Sequence, residues 1–274
     1  MRGHLRTFSK LNVLERRRQP TFPGSVDCQL GPAATGLLEL AEILEGWLRK
    51  CPDGPLELGD PAAKSAIKAL ADGWSTTIVR ALAARPLTLT ELNKLITGTS
   101  YPSLERRLGA MRLAGQIEAC HGLRRGRPYA ATDWLRHAVG PILAAARWER
   151  DFAPDQSPPL GRIDFEAAFL LGAPLLDLSK ELSGRCRLAV VTRTGDGEPA
   201  VAGAMVAVEE GRVSSCVSRL AGEASAWVAG SPAAWIPALV DHQTQQLEFG
   251  GDCDFAAAVV DELHGSLFRV RQTR

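Results

Sequence analysis

Motifs typical of membrane, secreted and metal-binding proteins are missing from this 274-residue chain. No uninterrupted apolar run reaches the roughly 20 residues that a membrane span needs. The N-terminal MRGHLRTFSK has no apolar core of the kind found in secretion signals. The six cysteines contain no CxxC pair, which argues against a zinc ribbon, a redox motif and a compact disulfide framework. We therefore expect a cytoplasmic protein with no membrane partner.

Signatures of catalysis are also missing. The chain contains no GxSxG, GxGxxG, P-loop or HExxH motif, and its five histidines are dispersed along the sequence. Asp252 and Asp254 flank Cys253, but two carboxylates in a turn before a helix are explained by N-capping and first-turn charge. We expect no enzyme activity, no catalytic residue, no metal and no cofactor.

Charge is divided unevenly between the two halves of the chain. Residues 151–274 hold 17 Asp/Glu and 10 Lys/Arg, a net charge of −7, within a total of only +1. Residues 1–150 therefore hold 22 Lys/Arg and 14 Asp/Glu, a net charge of +8. This asymmetry suggests a polyanion-binding half joined to a region with another partner, although surface charge often serves only solubility.

The most informative stretch is residues 100–132. Leu104, Leu108 and Met111 recur at helical spacing and predict a helix with one buried face and a cationic remainder. Ser100 is suited to cap its first turn. We expect this helix to be the centre of the basic half.

Two short extended segments, 116–121 and 127–131, follow that helix. The turn between them contains Arg124 and Arg125 beside two glycines. A turn so rich in positive charge is suited to phosphate groups. The two segments therefore predict a basic, two-stranded wing.

Helical patterns precede the wing at 60–73 and 75–84, and Thr88 and Glu91 fit a capping box for a short third helix. Helices followed by a two-stranded wing are the order of a winged helix-turn-helix. A long helix is expected over 132–151. It could be a dimerisation element or a packing strut for the next domain.

The first 52 residues partly repeat this pattern. A helical stripe is followed by basic residues 16–18, an extended segment and a long amphipathic helix. Leu11 matches Met111 at an offset of 100. Trp47 matches Trp148 at an offset of 101. Because no helices precede its stripe, we expect residues 1–52 to be a partial winged repeat, ahead of a complete domain at 60–151.

The C-terminal region, 160–274, has a different texture. It starts with an apolar helical run, DFEAAFLLGAPLLDLSKEL. Extended and helical patterns then alternate: strands at 186–193, 200–208 and 212–218, helices at 223–228 and 233–240, a strand at 245–249 and a helix at 254–267. We expect a mainly α N-terminal half, joined to an α+β domain with an antiparallel sheet.

These residues carry resemblances to known families. GWSTTIVRALAARPLTLTELNKLI, SYPSLERRLGAMRLAGQIE and the arginine wing resemble the winged helix-turn-helix of HxlR-type bacterial transcriptional regulators. Residues 2–50 resemble the back half of a second such domain. The C-terminal element order, with LHGSLF after a GGDCDF turn, is similar to sterol-carrier-protein-type domains. Together the regions resemble actinobacterial regulators that join tandem winged domains to a sterol-carrier-like module.

The resemblance implies double-stranded DNA as the partner of a regulator that is expected to be a homodimer. The recognition helix would enter the major groove and the wing would meet the backbone or minor groove. Carried over residue by residue, the DNA-binding set is Ser100, Tyr101, Ser103, Arg106, Arg107, Arg112, Arg124, Arg125 and Arg127. A second contact in the N-terminal repeat would involve Arg2, Arg6, Lys10, Arg17 and Arg18, which could equally coat a structural remnant.

Sterol-carrier-like domains can enclose an apolar cavity, so the resemblance also implies a hydrophobic small-molecule ligand. The candidate ligand-binding residues are Phe165, Phe169, Trp227, Trp235 and Phe249. Aromatic residues at helical spacing also suit an ordinary core. The main hypothesis is a ligand-responsive transcriptional regulator. The alternative is a protein that binds or sequesters a hydrophobic metabolite and uses its winged domains as a dimerisation scaffold.

Overall fold

The computed structural model describes residues 11, 13–18, 26–120, 126–155, 159–193 and 195–269, with only the backbone described at 16–18 and 26–28. The first half contains β1 Leu14–Arg18, β2 Val26–Leu30, α1 Pro32–Leu48, α2 Pro61–Ser75, α3 Ile78–Ala84, α4 Leu89–Leu95, α5 Tyr101–Leu113, β3 Ile117–Ala119, β4 Tyr129–Ala131, α6 Asp133–His137 and α7 Val139–Phe152. The second half contains α8 Arg162–Gly172, a 3₁₀ turn at Ala173–Leu175, β5 Gly184–Arg193, β6 Pro199–Glu209, β7 Arg212–Val217, β8 Ala226–Gly230, α9 Pro232–Val240, β9 Glu248–Gly251 and α10 Cys253–Phe268.

Two antiparallel hairpins occur in the first half. Hairpin A pairs β1 with β2, and hairpin B pairs β3 with β4. Each hairpin is followed at once by helix: α1 after hairpin A, and α6 with α7 after hairpin B. We call residues 13–48 unit A and residues 116–152 unit B.

Four helices, α2 to α5, lie between α1 and hairpin B in the chain. The predicted capping box on α4 is confirmed, since the Thr88 hydroxyl accepts from Glu91 N–H at 3.2 Å and Thr88 N–H donates to the Glu91 carboxylate at 2.8 Å. The predicted boundary at Gly73 is wrong because α2 continues to Ser75. The next helix starts at Ile78, after a turn whose Thr77 has φ +62°.

The single helix expected over 132–151 is two helices. α6 ends at His137 and α7 begins at Val139. Pro141 lies in the first turn of α7, where the absence of its N–H costs no hydrogen bond. In a single helix continuing from α6, the same proline would have removed a backbone hydrogen bond.

The C-terminal sheet has five strands in the order β7-β6-β5-β8-β9, and it is mixed rather than antiparallel as predicted. The exception is β5 with β8, which are parallel neighbours. The helix predicted at 223–228 is therefore wrong. Ala226 and Val228 are buried and Trp227 is exposed, which is the period of two of a strand.

The end of the chain follows the prediction more closely. β9 lies at Glu248–Gly251, three residues beyond the predicted start. The final helix is confirmed as α10, and Asp252 caps it by accepting from Phe255 N–H at 3.0 Å. The chain as described is thus α+β, with helices packed on one face of the sheet and a helix-rich first half.

The larger hydrophobic core continues from the first half into the second. It runs from Trp47 through α2–α5 to the helices against the five-stranded sheet. α3 packs against α8, and the Arg80 guanidinium donates to the Asp164 carboxylate at 2.6 Å across that contact. This packing leaves the polar side of α5 exposed. No helix in the described ranges is both long and apolar enough to span a bilayer.

Candidate nucleic-acid interface

Helix α5 is held by one apolar stripe. Leu104, Leu108 and Met111 are buried, as their spacing predicted. Met111 fits against Gly73 of α2, where an added Cβ would lie 2.7 Å from the Met111 sulfur. Gly73 therefore leaves the space that the end of the Met111 side chain occupies between α5 and α2.

The polar residues of α5 lie on two opposite flanks of the buried stripe. Helical spacing places Ser103, Arg106 and Arg107 on one flank, because they are three and four residues apart. Tyr101 and Arg112 lie on the other flank, roughly half a turn away. The α5 residues that were predicted to bind DNA therefore lie on two separate flanks of the helix.

The first flank borders a cleft of about 580 Å³ between α5, the α4–α5 turn and the end of α2. Arg107 closes one side of the cleft. Hydroxyl groups supply most of the remaining polar lining, and they come from Ser75, Thr76, Thr77, Thr97, Thr99, Ser100 and Ser103. We call this the α5 cleft. Hydroxyl and guanidinium donors are groups that contact phosphate oxygens in protein–DNA complexes.

Ser100 occupies the N-cap position of α5 but makes no side-chain capping hydrogen bond. Its hydroxyl therefore does not satisfy the N–H groups of the first turn. By contrast, Ser75 and Thr76 both donate to the Asp72 carbonyl at the end of α2. Two of the seven hydroxyl groups that line the α5 cleft therefore already donate to a backbone carbonyl.

Sequence reasoning missed the threonines of this cleft. Thr97 and Thr99 flank Gly98 in a short turn, and such residues normally indicate only turn chemistry. Thr77 has a backbone signal visible only in the structure: its φ of +62° is an unfavourable region for a β-branched residue. The available sequence signal was the clustering of hydroxyl residues at 75–77 and 97–100.

Hairpin B is attached to the start of α4. Leu87 and Tyr129 exchange backbone hydrogen bonds of 3.0 and 2.8 Å, and Gly126 packs against Thr88. Arg127 is exposed next to this attachment. Arg124 and Arg125 lie outside the described residues, so the predicted wing is represented by its strands and Arg127.

The arginines of this surface carry unneutralised charge. Within the described ranges, no ion pair involves Arg106, Arg107 or Arg127. The nearby Glu91 carboxylate is instead held by α4. Hydrogen bonds from the Thr88 backbone and hydroxyl, and then from Arg85, lower the pKa of Glu91 to about 2.

The predicted second contact is only partly described. Arg17 and Arg18 lie in β1 of hairpin A. Arg2, Arg6 and Lys10 lie outside the described residues.

The five predicted ligand-binding aromatics do not converge on one cavity. Phe165, Phe169 and Trp235 are fully buried, and their rings pack at centroid distances of 6.3 and 4.7 Å. The Trp235 indole donates to the Ala189 carbonyl at 2.9 Å. Trp227 lies on the opposite face of the sheet, over Gly250. Phe249 is half-buried in the edge strand β9.

An apolar pocket of about 530 Å³ lies instead between α7, the start of α9 and residues 154 and 159–161, which belong to the segment that joins α7 to α8. Ala146, Leu160, Pro232, Ala233 and Ile236 form much of its wall. Glu149 and Arg150 contribute charge at its α7 side, and both are exposed. We call this the junction pocket. None of the five predicted aromatic residues lines it.

Burial disfavours the charged forms of three titratable side chains in the C-terminal region. Burial raises the pKa of Cys186 to about 12 and that of Cys216 to about 12. Burial also raises the pKa of Glu166 on α8, although a hydrogen bond from Gly203 N–H opposes the shift. Neither thiol is therefore a ready nucleophile at neutral pH.

Two histidines that are distant in sequence meet in the structure. His242 stacks on His264 at 4.8 Å and bonds the Asp261 carboxylate at 2.8 Å, while His264 bonds the Leu239 carbonyl at 2.7 Å. These contacts link the end of α9 to α10. In the described ranges, no group of three or more His, Cys, Asp and Glu residues has a metal-binding arrangement.

Comparison with known proteins adds one weak likeness. No protein-family model matches the chain, and no curated protein matches it. The solution structure of a conserved hypothetical protein from Thermus thermophilus, described as a candidate sterol carrier protein, matches 39% of this chain and 77% of its own. Identity is 15% and the TM-score is 0.26, so no argument rests on this likeness.

Proposed function

We propose that the protein is a DNA-binding transcriptional regulator that reads duplex DNA with α5 and contacts the backbone with hairpin B. The supporting observation is the α5 cleft, where Arg107 and several hydroxyl groups lie beside the exposed Arg106. The order of α2–α5 and hairpin B is also that of a winged helix-turn-helix. The HxlR-type sequence resemblance favours the same function.

In this proposal the polar groups have different tasks. Arg106 and Arg107 would face base edges or the adjacent phosphates, where a bidentate Arg–guanine contact adds discrimination. The hydroxyls of the α5 cleft and Arg127 would contact phosphates and set the register of the helix. Phosphate contacts by arginine release counterions, so affinity is expected to fall steeply with salt.

The test is binding to duplex DNA from upstream of the protein's own gene. Arg106→Ala combined with Arg107→Ala is expected to weaken specific binding by at least about tenfold and to reduce the salt slope by up to about two. Arg112→Ala is the matched control, because it removes a positive charge from the opposite flank of the same helix. Equal losses in both variants would contradict the assignment of the reading flank.

The junction pocket supports a second role, the sensing of a hydrophobic molecule. Its apolar walls come from α7 and from the C-terminal region, so an occupant would contact both halves of the chain. We place the ligand site here rather than among the predicted aromatics, because three of those side chains already fill the core. A ligand that prefers one arrangement of the halves would shift the DNA-binding equilibrium.

The apolar sulfonated dye anilinonaphthalene sulfonate tests this role. Ala233→Trp should fill the pocket and remove dye fluorescence, whereas Ala221→Trp, in an exposed loop, should not. Dye binding that persists in Ala233→Trp would remove the pocket from the proposal. Tight binding of a hydrophobic metabolite without any sequence-specific DNA binding would favour the alternative, a sequestering protein.

A further inference from the structure

Units A and B share the hydrogen bond that closes each hairpin onto its helix. Gly31 N–H donates to the Val13 carbonyl at 3.0 Å, and Thr132 N–H donates to the Gln116 carbonyl at 3.1 Å. The donors are 101 residues apart and the acceptors 103. The sequence predicted an offset of 100 at the start of the hairpins, and the structure shows an offset of 103 there. Since the offset at the end of the hairpins is 101, hairpin A is two residues longer than hairpin B.

The two units also exchange equivalent tryptophan contacts. The Trp47 indole of unit A donates to the Trp134 carbonyl of unit B at 2.9 Å. The Trp148 indole of unit B donates to the Ala33 carbonyl of unit A at 2.8 Å. The two donors, Trp47 and Trp148, are 101 residues apart in the sequence, and so are the two acceptors, Ala33 and Trp134. Such reciprocity, in which each partner uses the same residue on the other, is the mark of a two-fold contact.

The helices that make these contacts are antiparallel. The end of α1 meets the start of α6 through Trp47 and Trp134, whose rings stack at 4.6 Å. The start of α1 meets the end of α7, where a Cβ added to Gly36 would lie 2.9 Å from Trp148. α1 of the same chain therefore covers the face of α6 and α7 that carries Trp134 and Trp148. Through that face, α6 and α7 are not free to pair with a second copy of the chain.

We infer that one chain is an internal pseudo-dimer that binds DNA as a monomer, with hairpin A contacting phosphates on the same duplex as α5 and hairpin B. A two-fold axis between DNA-binding units presents equivalent elements to one face of the duplex. Hairpin A carries Arg16, Arg17 and Arg18 in β1, which supplies the positive charge for backbone contacts. The DNA part of this inference rests on the proposed function.

The first measurement is the mass of the free chain and of its complex with a duplex bearing its site, by light scattering during gel filtration. The expected results are a free mass near 29.4 kDa and one chain per duplex. A free mass of twice that value, or two chains on a palindromic site, would overturn the inference that one chain binds DNA as a monomer.

The second measurement tests hairpin A in the full chain. Arg16→Ala, Arg17→Ala and Arg18→Ala together should weaken binding to specific and scrambled duplexes by a similar factor, about tenfold or more, and lower the salt slope by up to about three. The corresponding triple lysine variant should retain most of the affinity, because phosphate contacts need charge rather than a planar fork. The charge-matched control removes the exposed Arg185, Arg193 and Arg219 from the C-terminal region.

The outcomes separate this inference from the proposed function. If the hairpin A variant binds like the wild type while Arg106→Ala with Arg107→Ala loses affinity, the inference falls and the proposed function stands. If the triple alanine and the C-terminal control lose affinity equally, the effect is one of overall charge and the inference also falls. If the wild-type chain binds no duplex DNA, both fall.

Discussion

Units A and B share a backbone arrangement but differ in what supports them. Hairpin A rests on a small cluster of Val13, Ala33 and Ala34, with Trp148 packed beside it. Hairpin B belongs to the large core that contains Trp47, Trp134 and the helices α2–α5. The contact between the units is repeated, while the surroundings of each are not. The shared geometry therefore concerns how the units pair. In our proposal, DNA is read through the helices α2–α5, which pack beside unit B and have no counterpart beside unit A in the described ranges.

The largest expected effect comes from removing the equivalent tryptophans. Trp47 is 2% exposed and stacked on Trp134, so Trp47→Ala should lower the free energy of unfolding by about 3–5 kcal/mol. Trp148 is only partly buried and tilts against Phe152 at 5.8 Å, so Trp148→Ala should cost less. Urea unfolding followed by circular dichroism measures both. An equal or larger loss in Trp148→Ala would break the comparison.

Two sets of ion pairs connect the first half of the chain to the C-terminal region, through Arg80 of α3 and through Arg147 of unit B. Near unit B, Arg80 and Asp164 are 23% and 12% exposed, so Arg80→Ala leaves a largely buried carboxylate and should cost about 1–3 kcal/mol. Glu39 of unit A pairs with Arg147 of unit B, and Arg147 also pairs with Asp241 of the C-terminal region. Glu39→Gln should cost at most about 1 kcal/mol, since Arg147 keeps its second partner. The same unfolding assay would contradict this ranking if Glu39→Gln were the more destabilising change.

A smaller effect is expected at the start of α4, which is attached to hairpin B. Thr88→Ala removes the hydroxyl that accepts from Glu91 N–H and should cost about 1 kcal/mol of stability. Thr88→Ser keeps the acceptor and serves as the control. Thermal unfolding of the three proteins tests the cap, and identical midpoints would show that it adds nothing measurable.

The smallest effect is a pH dependence. Hydrogen bonds from the Thr88 backbone and hydroxyl, and then from Arg85, favour the charged form of Glu91 and lower its pKa in the folded state from the ordinary 4.5 to about 2. A lowered folded pKa stabilises the fold above the unfolded pKa, and this contribution is lost as pH falls toward 2. Wild type should therefore be more stable than Glu91→Gln at pH 6, with the difference closing between about pH 4.5 and 2. Glu105→Gln, on the exposed part of α5, is the control, and a difference that persists at pH 2 would contradict the linkage.

The sequence predicted those parts of the fold that depend on local signals. The Thr88–Glu91 box, the Leu104–Leu108–Met111 stripe and the Asp252 cap each depend on residues within one or two turns. The mixed sheet could not be predicted from the sequence, because β8 is defined by its parallel pairing with β5, about 40 residues earlier in the chain. Ala-Trp-Val-Ala-Gly alone suits either a helix or a strand.

The candidate site was predictable to a similar degree. Arg106 and Arg107 follow from the helix and its charge, and helical spacing alone separates them from Tyr101 and Arg112. Which of the two flanks borders a cleft depends on how α5 packs against its neighbours, and no local pattern indicates that. Thr77 and Thr97 reach the same cleft from segments 20 residues apart, which no local pattern indicates. The junction pocket likewise needs the packing of α7 against the start of α9.

The most direct test of the account is hydrogen–deuterium exchange of the full chain with and without a duplex from its own upstream region. We predict that DNA slows exchange at residues 97–107, in hairpin B and in β1 of hairpin A, and leaves the outer face of the five-stranded sheet unchanged. Protection confined to residues 159–269, with none in α5, would contradict the claim that α5 reads DNA.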